Sequence, residues 1–234
     1  MKLRVAALVL FALVAAGRAD AADRVIVALG DSLTAGLGVT AEEAYPALLQ
    51  ARLTREGYPY RVVNAGVSGD TSAGGLRRLE WVLRSQPEIV IVALGANDGL
   101  RGQPVSALRA NLVAIVDRIR ASGARVLIAG MRMPPNYGAP YTKDFAAVYP
   151  DVARQTNSPL VPFLLEGVAA DARYNQGDGI HPNPAGHRLI ADHVWTYLRA
   201  LLTWGARGAP PKPPTLRGPA EPGRSATAGT PTVS

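Results

Sequence analysis

Short apolar runs that each give way to a glycine-bearing turn and then to a helical pattern constrain this chain most. Arg24 to Leu29 (RVIVAL), Tyr60 to Val63 and Glu88 to Leu94 (EIVIVAL) are such runs. The last is apolar almost without interruption, as in a strand covered on both faces. Arg125 to Ala129 reads as a fourth strand, and a short fifth lies near Pro159 to Pro162. Between them the period changes. Val105, Leu108, Leu112, Ile115, Val116 and Ile119 recur at three and four residues and predict a helix from Pro104 to Ala121. Thr40 with Glu43 has the form of a capping box for a helix running to about Glu56, with Pro46 favouring a regular start near itself. Further helices are expected over Gly74 to Arg84, over Tyr141 to Thr156, and through Leu189, Ile190, Val194, Tyr197, Leu198 and Leu201. Alternating strand and helix predicts an α/β fold with a parallel sheet, right-handed crossovers and helices on both faces. Ligands of such sheets bind beyond the carboxyl ends of the strands.

The two ends are set apart by composition. Lys2 and Arg4 precede the apolar stretch Val5 to Ala16 and a small-residue segment ending at Ala21. That is the form of a secretory signal peptide, too short to span a bilayer, which needs about 20 residues. Residues 1–21 are therefore expected to be removed, giving a periplasmic or secreted protein with no integral membrane span. Gly205 to Ser234 is rich in Pro, Gly, Ala, Ser and Thr and has almost no large apolar residue, which predicts a disordered tail. The folded domain is expected over residues 22–204. The formal charge is +7, but both ends carry an excess of it, and the body has 18 basic against 16 acidic side chains. So even a balance argues against nucleic acid as a partner, because phosphate binding needs a concentrated basic face. The chain has no cysteine, which excludes disulfides, a thiol nucleophile and a cysteine-ligated zinc.

Chemistry is expected in the turns at the strand ends. These are Gly30-Asp31-Ser32-Leu33-Thr34-Ala35-Gly36, Asn64 to Thr71, and Gly95-Ala96-Asn97-Asp98-Gly99, with Gly177 to Asn183 ahead of the last helix. Taken singly, Ser32 is a turn or cap serine, Gly69 a turn glycine, Asn97 an Asx-turn residue, and Asp178 part of an Asp-Gly turn. Taken together they offer a hydroxyl, an imidazole at His181, a carboxylate three residues before it, and several uncharged N–H donors. Those are the parts of nucleophilic acyl transfer. His187 and His193 fall in the last helix, where an exposed position is the default expectation.

These four blocks resemble the SGNH (GDSL-type) hydrolase family, with Ser32, Gly69, Asn97 and His181 at the signature positions. Gly69 to Ser72, Asn97 to Gly102 and Met131 to Gly138 are similar to its bacterial thioesterase/protease/lysophospholipase and arylesterase subgroup. The resemblance runs from about Arg24 to Trp204. It implies a three-layer α/β/α sandwich of flavodoxin-like order around a five-stranded parallel sheet. It also implies a catalytic set of Ser32, Asp178 and His181, and an oxyanion hole from the Ser32 and Gly69 N–H groups and the Asn97 amide. No metal or cofactor is implied. Asp31, Asp70 and Asp98 are expected to brace their loops.

The implied substrates are small-molecule esters and thioesters: aryl esters, acyl-CoA and lysophospholipids. Leu33, Asp70, Leu100, Met133, Pro134, Tyr137 and Ile180 are the candidate substrate contacts, and a monomer is expected. Two alternatives use the same residues differently. One is an O-acetyl esterase of carbohydrate or cell-wall polymers. The other is a non-catalytic binding protein on a hydrolase fold, which the presence of all three catalytic side chains disfavours.

Overall fold

The computed structural model describes residues 24–202. The expected leader at 1–21 and the expected tail at 205–234 lie outside them. Within them five parallel strands form one sheet: β1 (Arg24–Gly30), β2 (Tyr60–Gly66), β3 (Ile89–Ala93), β4 (Arg125–Ala129) and β5 (Leu160–Val161), in the order β2-β1-β3-β4-β5. This is the flavodoxin-like order expected above. The register sets Gly30 of β1 beside Gly66 of β2 and Ala93 of β3, so three strand ends finish level. All five residues of β3 are buried, as its unbroken apolar run requires. β2 is one of the two edge strands and is only partly covered. At the start of its open side Gln50 donates to the Tyr60 carbonyl at 3.1 Å and accepts the Val62 N–H at 2.6 Å, which covers that stretch of the edge.

Among the described residues, eight α-helices flank the sheet: α1 (Ser32–Ala35), α2 (Tyr45–Arg55), α3 (Ser72–Arg77), α4 (Leu79–Leu83), α5 (Ala96–Leu100), α6 (Val105–Ala121), α7 (Ala139–Gln155) and α8 (Pro184–Leu198). α2 packs on α8, while α3 packs on α6 and α6 on α7. Right-handed crossovers account for this division. The chain moves one way from β1 to β2, then reverses past β1 to β3, so the following crossovers cross the opposite face. The reversal puts a crevice between the carboxyl ends of β1 and β3, where α/β sheets bind ligands. The stripe predicted on α6 is buried at Leu108, Leu112, Ile115, Val116 and Ile119.

Three local expectations shift. The Glu43 carboxylate does accept the Thr40 N–H, at 3.2 Å, but it closes a turn. The helix itself begins at Tyr45, with Pro46 in its first turn. The helix expected over Gly74 to Arg84 is broken at Arg78, and its first half starts at Ser72, capped by Thr71.

The third shift is His187, which is buried at 1% exposure instead of lying on an exposed helix face. The cause lies on α2. Ala44 stands at its N-cap and has no side chain to cap with, so the Tyr45 N–H donates across the layer to His187 Nδ1 at 3.3 Å. Nδ1 is thus the acceptor and Nε2 carries the proton, buried without a partner among the described residues. Desolvation pushes the His187 imidazolium down to about 4. An unfolded imidazole titrates near its ordinary value of about 6.5, so the unfolded chain takes up the proton first. Stability is therefore full above that value and falls as the pH drops from about 6.5 towards 4. Denaturant unfolding near pH 7.5 and pH 4.5 should show wild type losing ~2 kcal/mol more than His187→Gln over that interval. Equal losses in the two proteins would refute this placement of the imidazole.

Candidate active site

β1 ends at Gly30, and the chain turns at once into α1. Gly30 is required here, because a Cβ would lie 2.0 Å from Thr34 Oγ1 and 2.9 Å from the Ala93 carbonyl oxygen. Asp31 caps the short helix, its Oδ1 accepting the Leu33 N–H at 3.0 Å. Ser32 follows as the first helical residue. Among the described residues its N–H finds no acceptor, as befits the first turn of a helix.

His181 reaches Ser32 from 149 residues away, with Nε2 3.0 Å from Oγ. Its Nδ1 lies 2.7 Å from Asp178 Oδ2. Asp178 Oδ1 accepts the N–H groups of Ile180 and His181, both at 3.0 Å. The turn that allows this passes through Gly179 at φ +75°, a conformation that favours glycine. Hydrogen bonding, first from the His181 N–H and then from its imidazole, holds the Asp178 carboxyl down at about 2. The carboxylate therefore stays ionised and fixes the Nδ1–H tautomer, leaving Nε2 as the acceptor facing Ser32. The loop is anchored by Gln176, whose Nε2 donates to the Leu37 and Pro182 carbonyls at 2.7 and 2.9 Å. Asn183 caps α8 by accepting the N–H groups of Ala185 and Gly186.

The other two strand ends complete the cluster. After β2, Gly69 takes φ +79° and, among the described residues, its N–H has no acceptor. Arg101 holds the Gly69 carbonyl at 2.9 Å. After β3, Asn97 lies on α5. Its Nδ2 donates to the Asp70 carbonyl at 2.9 Å and approaches Asp31 Oδ2 at 3.3 Å. Asp98 accepts both the N–H and the hydroxyl of Ser72, at 2.8 and 2.6 Å, and so ties α5 to α3.

Arg78 was not singled out in the sequence, yet it joins this cluster. Standing at the break between α3 and α4, it donates to Asp70 Oδ2, to the Ala65 carbonyl and to the Gly30 carbonyl at 2.7, 2.8 and 2.9 Å. One guanidinium thus ties the ends of β1 and β2 to the Gly69 loop. Asp31 is the other unusual group. It is 1% exposed, and desolvation raises its carboxyl to about 6, against the lowering effect of the Leu33 N–H.

The candidate substrate contacts divide by exposure. Leu100 and Ile180 are open, at 39% and 48%. Pro134 is exposed and Tyr137 half-buried, its hydroxyl donating to the Leu100 carbonyl at 3.2 Å. Leu33 is buried, and Met133 lies beneath the α5 turn, where a Cβ on Gly99 would sit 2.3 Å from its sulfur. Asp70 directs its carboxylate to Arg78. Leu37 and Val67, which the sequence reading passed over, are also exposed. Leu37 is tied to the His181 loop through Gln176, and Val67 donates to the Gly30 carbonyl at 3.0 Å.

The GDSL-like lipase/acylhydrolase family matches residues 28–189, the span that carries the three strand-end turns and the His181 turn. The chain belongs to that family. Among curated relatives of this GDSL-like hydrolase, Esterase TesA of Pseudomonas aeruginosa is 48% identical over 184 residues, covering 78% of this chain and 92% of that protein. Thioesterase 1/protease 1/lysophospholipase L1 of Escherichia coli K12 is 41% identical over 194 residues, covering 82% and 91%. Among solved structures, the psychrotrophic esterase EstA from Pseudoalteromonas, inhibited by monoethylphosphonate, superposes with a TM-score of 0.73 at 37% identity, covering 76% of this chain and 98% of that one. No helix among the described residues of this family member is long and apolar enough to cross a membrane.

Proposed function

We propose that this GDSL-like hydrolase is a serine esterase and thioesterase acting through an acyl-Ser32 intermediate. The observation that carries this reading is the line from Ser32 Oγ to His181 Nε2 and from His181 Nδ1 to Asp178 Oδ2, at 3.0 and 2.7 Å. Ser32 Oγ attacks the carbonyl carbon of the ester while its proton passes to His181 Nε2. The N–H groups of Ser32 and Gly69 and the Asn97 amide receive the oxyanion. Collapse expels the alcohol or thiol, which takes the proton from Nε2. Water then attacks the acyl carbon with the same imidazole as base, and Ser32 is released with the acid product. Names of the relatives support esters and thioesters as the substrate class.

Acyl preference follows from what surrounds the line. Leu37, Val67, Leu100 and Ile180 are exposed on the loops that carry or adjoin it, a surface suited to an alkyl or aryl group. Full burial of a methylene is worth ~0.8 kcal/mol, and an open rim captures about half of that. A series of p-nitrophenyl esters should therefore show kcat/KM rising roughly two-fold per added methylene from acetyl to medium chains. Run beside acetylated sugars, the series also separates the O-acetyl esterase alternative. A preference for acetylated sugar over every longer acyl ester would overturn the acyl-chain reading. Export to the periplasm or medium, cleavage after Ala21 and a monomeric state are part of the same proposal; export rests on the basic start and short apolar run of residues 1–21.

A further inference from the structure

Asn97 is held by two atoms that can only accept. Its Nδ2 donates to the Asp70 carbonyl at 2.9 Å and stands 3.3 Å from Asp31 Oδ2. Asp31 is itself fixed, because its other oxygen takes the Leu33 N–H at 3.0 Å and the residue is 1% exposed. A buried carboxylate could have been avoided here. A serine or asparagine caps a helix as well as aspartate does. The cap therefore explains Oδ1 and leaves Oδ2, with its cost of desolvation, without a purpose of its own.

We propose that Asp31 is a positioning residue for the oxyanion site, its carboxylate Oδ2 fixing which end of the Asn97 amide is presented beside Ser32. This rests on the serine hydrolase reading above and extends it. An amide has a donor end and an acceptor end of nearly the same shape. If the oxygen end were presented, it would repel the developing oxyanion instead of receiving it. An ionised Asp31 excludes that orientation, because carboxylate and amide oxygens cannot share a hydrogen bond. The Asp70 carbonyl acts in the same sense, and Arg78 holds the Asp70 side chain in place. The contact to Asp31, at 3.3 Å, is the longer of the two.

The test separates cap from positioning. In Asp31→Asn, Oδ1 keeps the Leu33 cap, but Nδ2 replaces the acceptor with a donor. Measured near pH 8 on a p-nitrophenyl ester, this variant should lose at least ten-fold in kcat with KM changed less than about three-fold, and melt within a few degrees of wild type. In an Asn97→Ala background the same substitution should change kcat less than about two-fold, because the amide it orients is gone. Asp31→Ser, which caps but is too short to reach Asn97, should behave as Asp31→Asn does and serves if that variant fails to fold. A kcat within two-fold of wild type in the folded variant, or equal losses with and without Asn97, overturns the proposal. Ser32→Ala is measured in the same series. If it retains activity, it is the serine hydrolase reading that fails, whatever Asp31 does.

Discussion

Ser32→Ala and His181→Ala are each expected to lower kcat by roughly 10⁴-fold or more while leaving the thermal midpoint within a few degrees of wild type. The size of the rate effect follows from the way the parts act together. Without the hydroxyl there is no acyl intermediate, and without the imidazole nothing at 3.0 Å takes the proton from Oγ. The two losses should not multiply. A double variant should be about as slow as either single one, because each removes the same covalent route. What remains over water would come from the N–H groups of Ser32 and Gly69 and from Asn97. The small effect on stability follows from local structure. Ser32 Oγ bonds to His181, and the cap on α1 comes from Asp31, so the alanine removes no helix-end partner. Steady-state kinetics with a melting curve on each variant checks this. Activity within ten-fold of wild type in either would contradict it.

Asp178→Asn is expected to cost nearly as much, about 10³–10⁴-fold in kcat, by reversing a tautomer. The asparagine oxygen can still accept the Ile180 and His181 N–H groups, so the turn survives. Its NH₂ then faces Nδ1, which must become the acceptor, and the ring proton moves to Nε2. That proton points at Ser32, and the base is lost. Wild type carries the opposite arrangement across the working range, since hydrogen bonding holds Asp178 down at about 2. Lowering the pH from 8 to 4 therefore leaves Asp178 ionised, whereas the buried Asp31 carboxyl, raised to about 6, takes up a proton within that interval. The acid limb of a pH–rate profile should accordingly carry no step from Asp178. A step at about 4, the ordinary range of an aspartate, would contradict the geometry at Asp178.

Ser32, Gly69 and Asn97 stand out because each follows a strand of the parallel sheet, and such strands deliver their following turns to one edge. β3 and α6 were equally plain, since periodicity directly reports which faces are covered. Arg78 was not legible. Its three acceptors come from β1, β2 and the Gly69 loop, and nothing in the local sequence Leu76 to Glu80 indicates that a helix breaks there to bring them within reach. His187 was misplaced for a related reason. Whether a helix histidine is exposed depends on what packs against it, and here that is the uncapped first turn of α2. Thr40 and Glu43 make the contact their spacing suggests, but Pro46 fixes where the helix begins. Leu37 and Val67 carry no periodic signal, and their position beside the site emerges only from the fold.

Asp31 shows how a residue read as a brace can do more. Its cap on Leu33 is visible in the motif, whereas its second oxygen meets Asn97 only because β1 and β3 end side by side.

The most direct measurement is intact-mass analysis after exposure of the folded protein to a fluorophosphonate. One adduct per chain is predicted, mapped to Ser32, absent in Ser32→Ala and formed far more slowly in His181→Ala. A folded wild-type protein that stays unlabelled, or an adduct that persists in Ser32→Ala, would contradict the account.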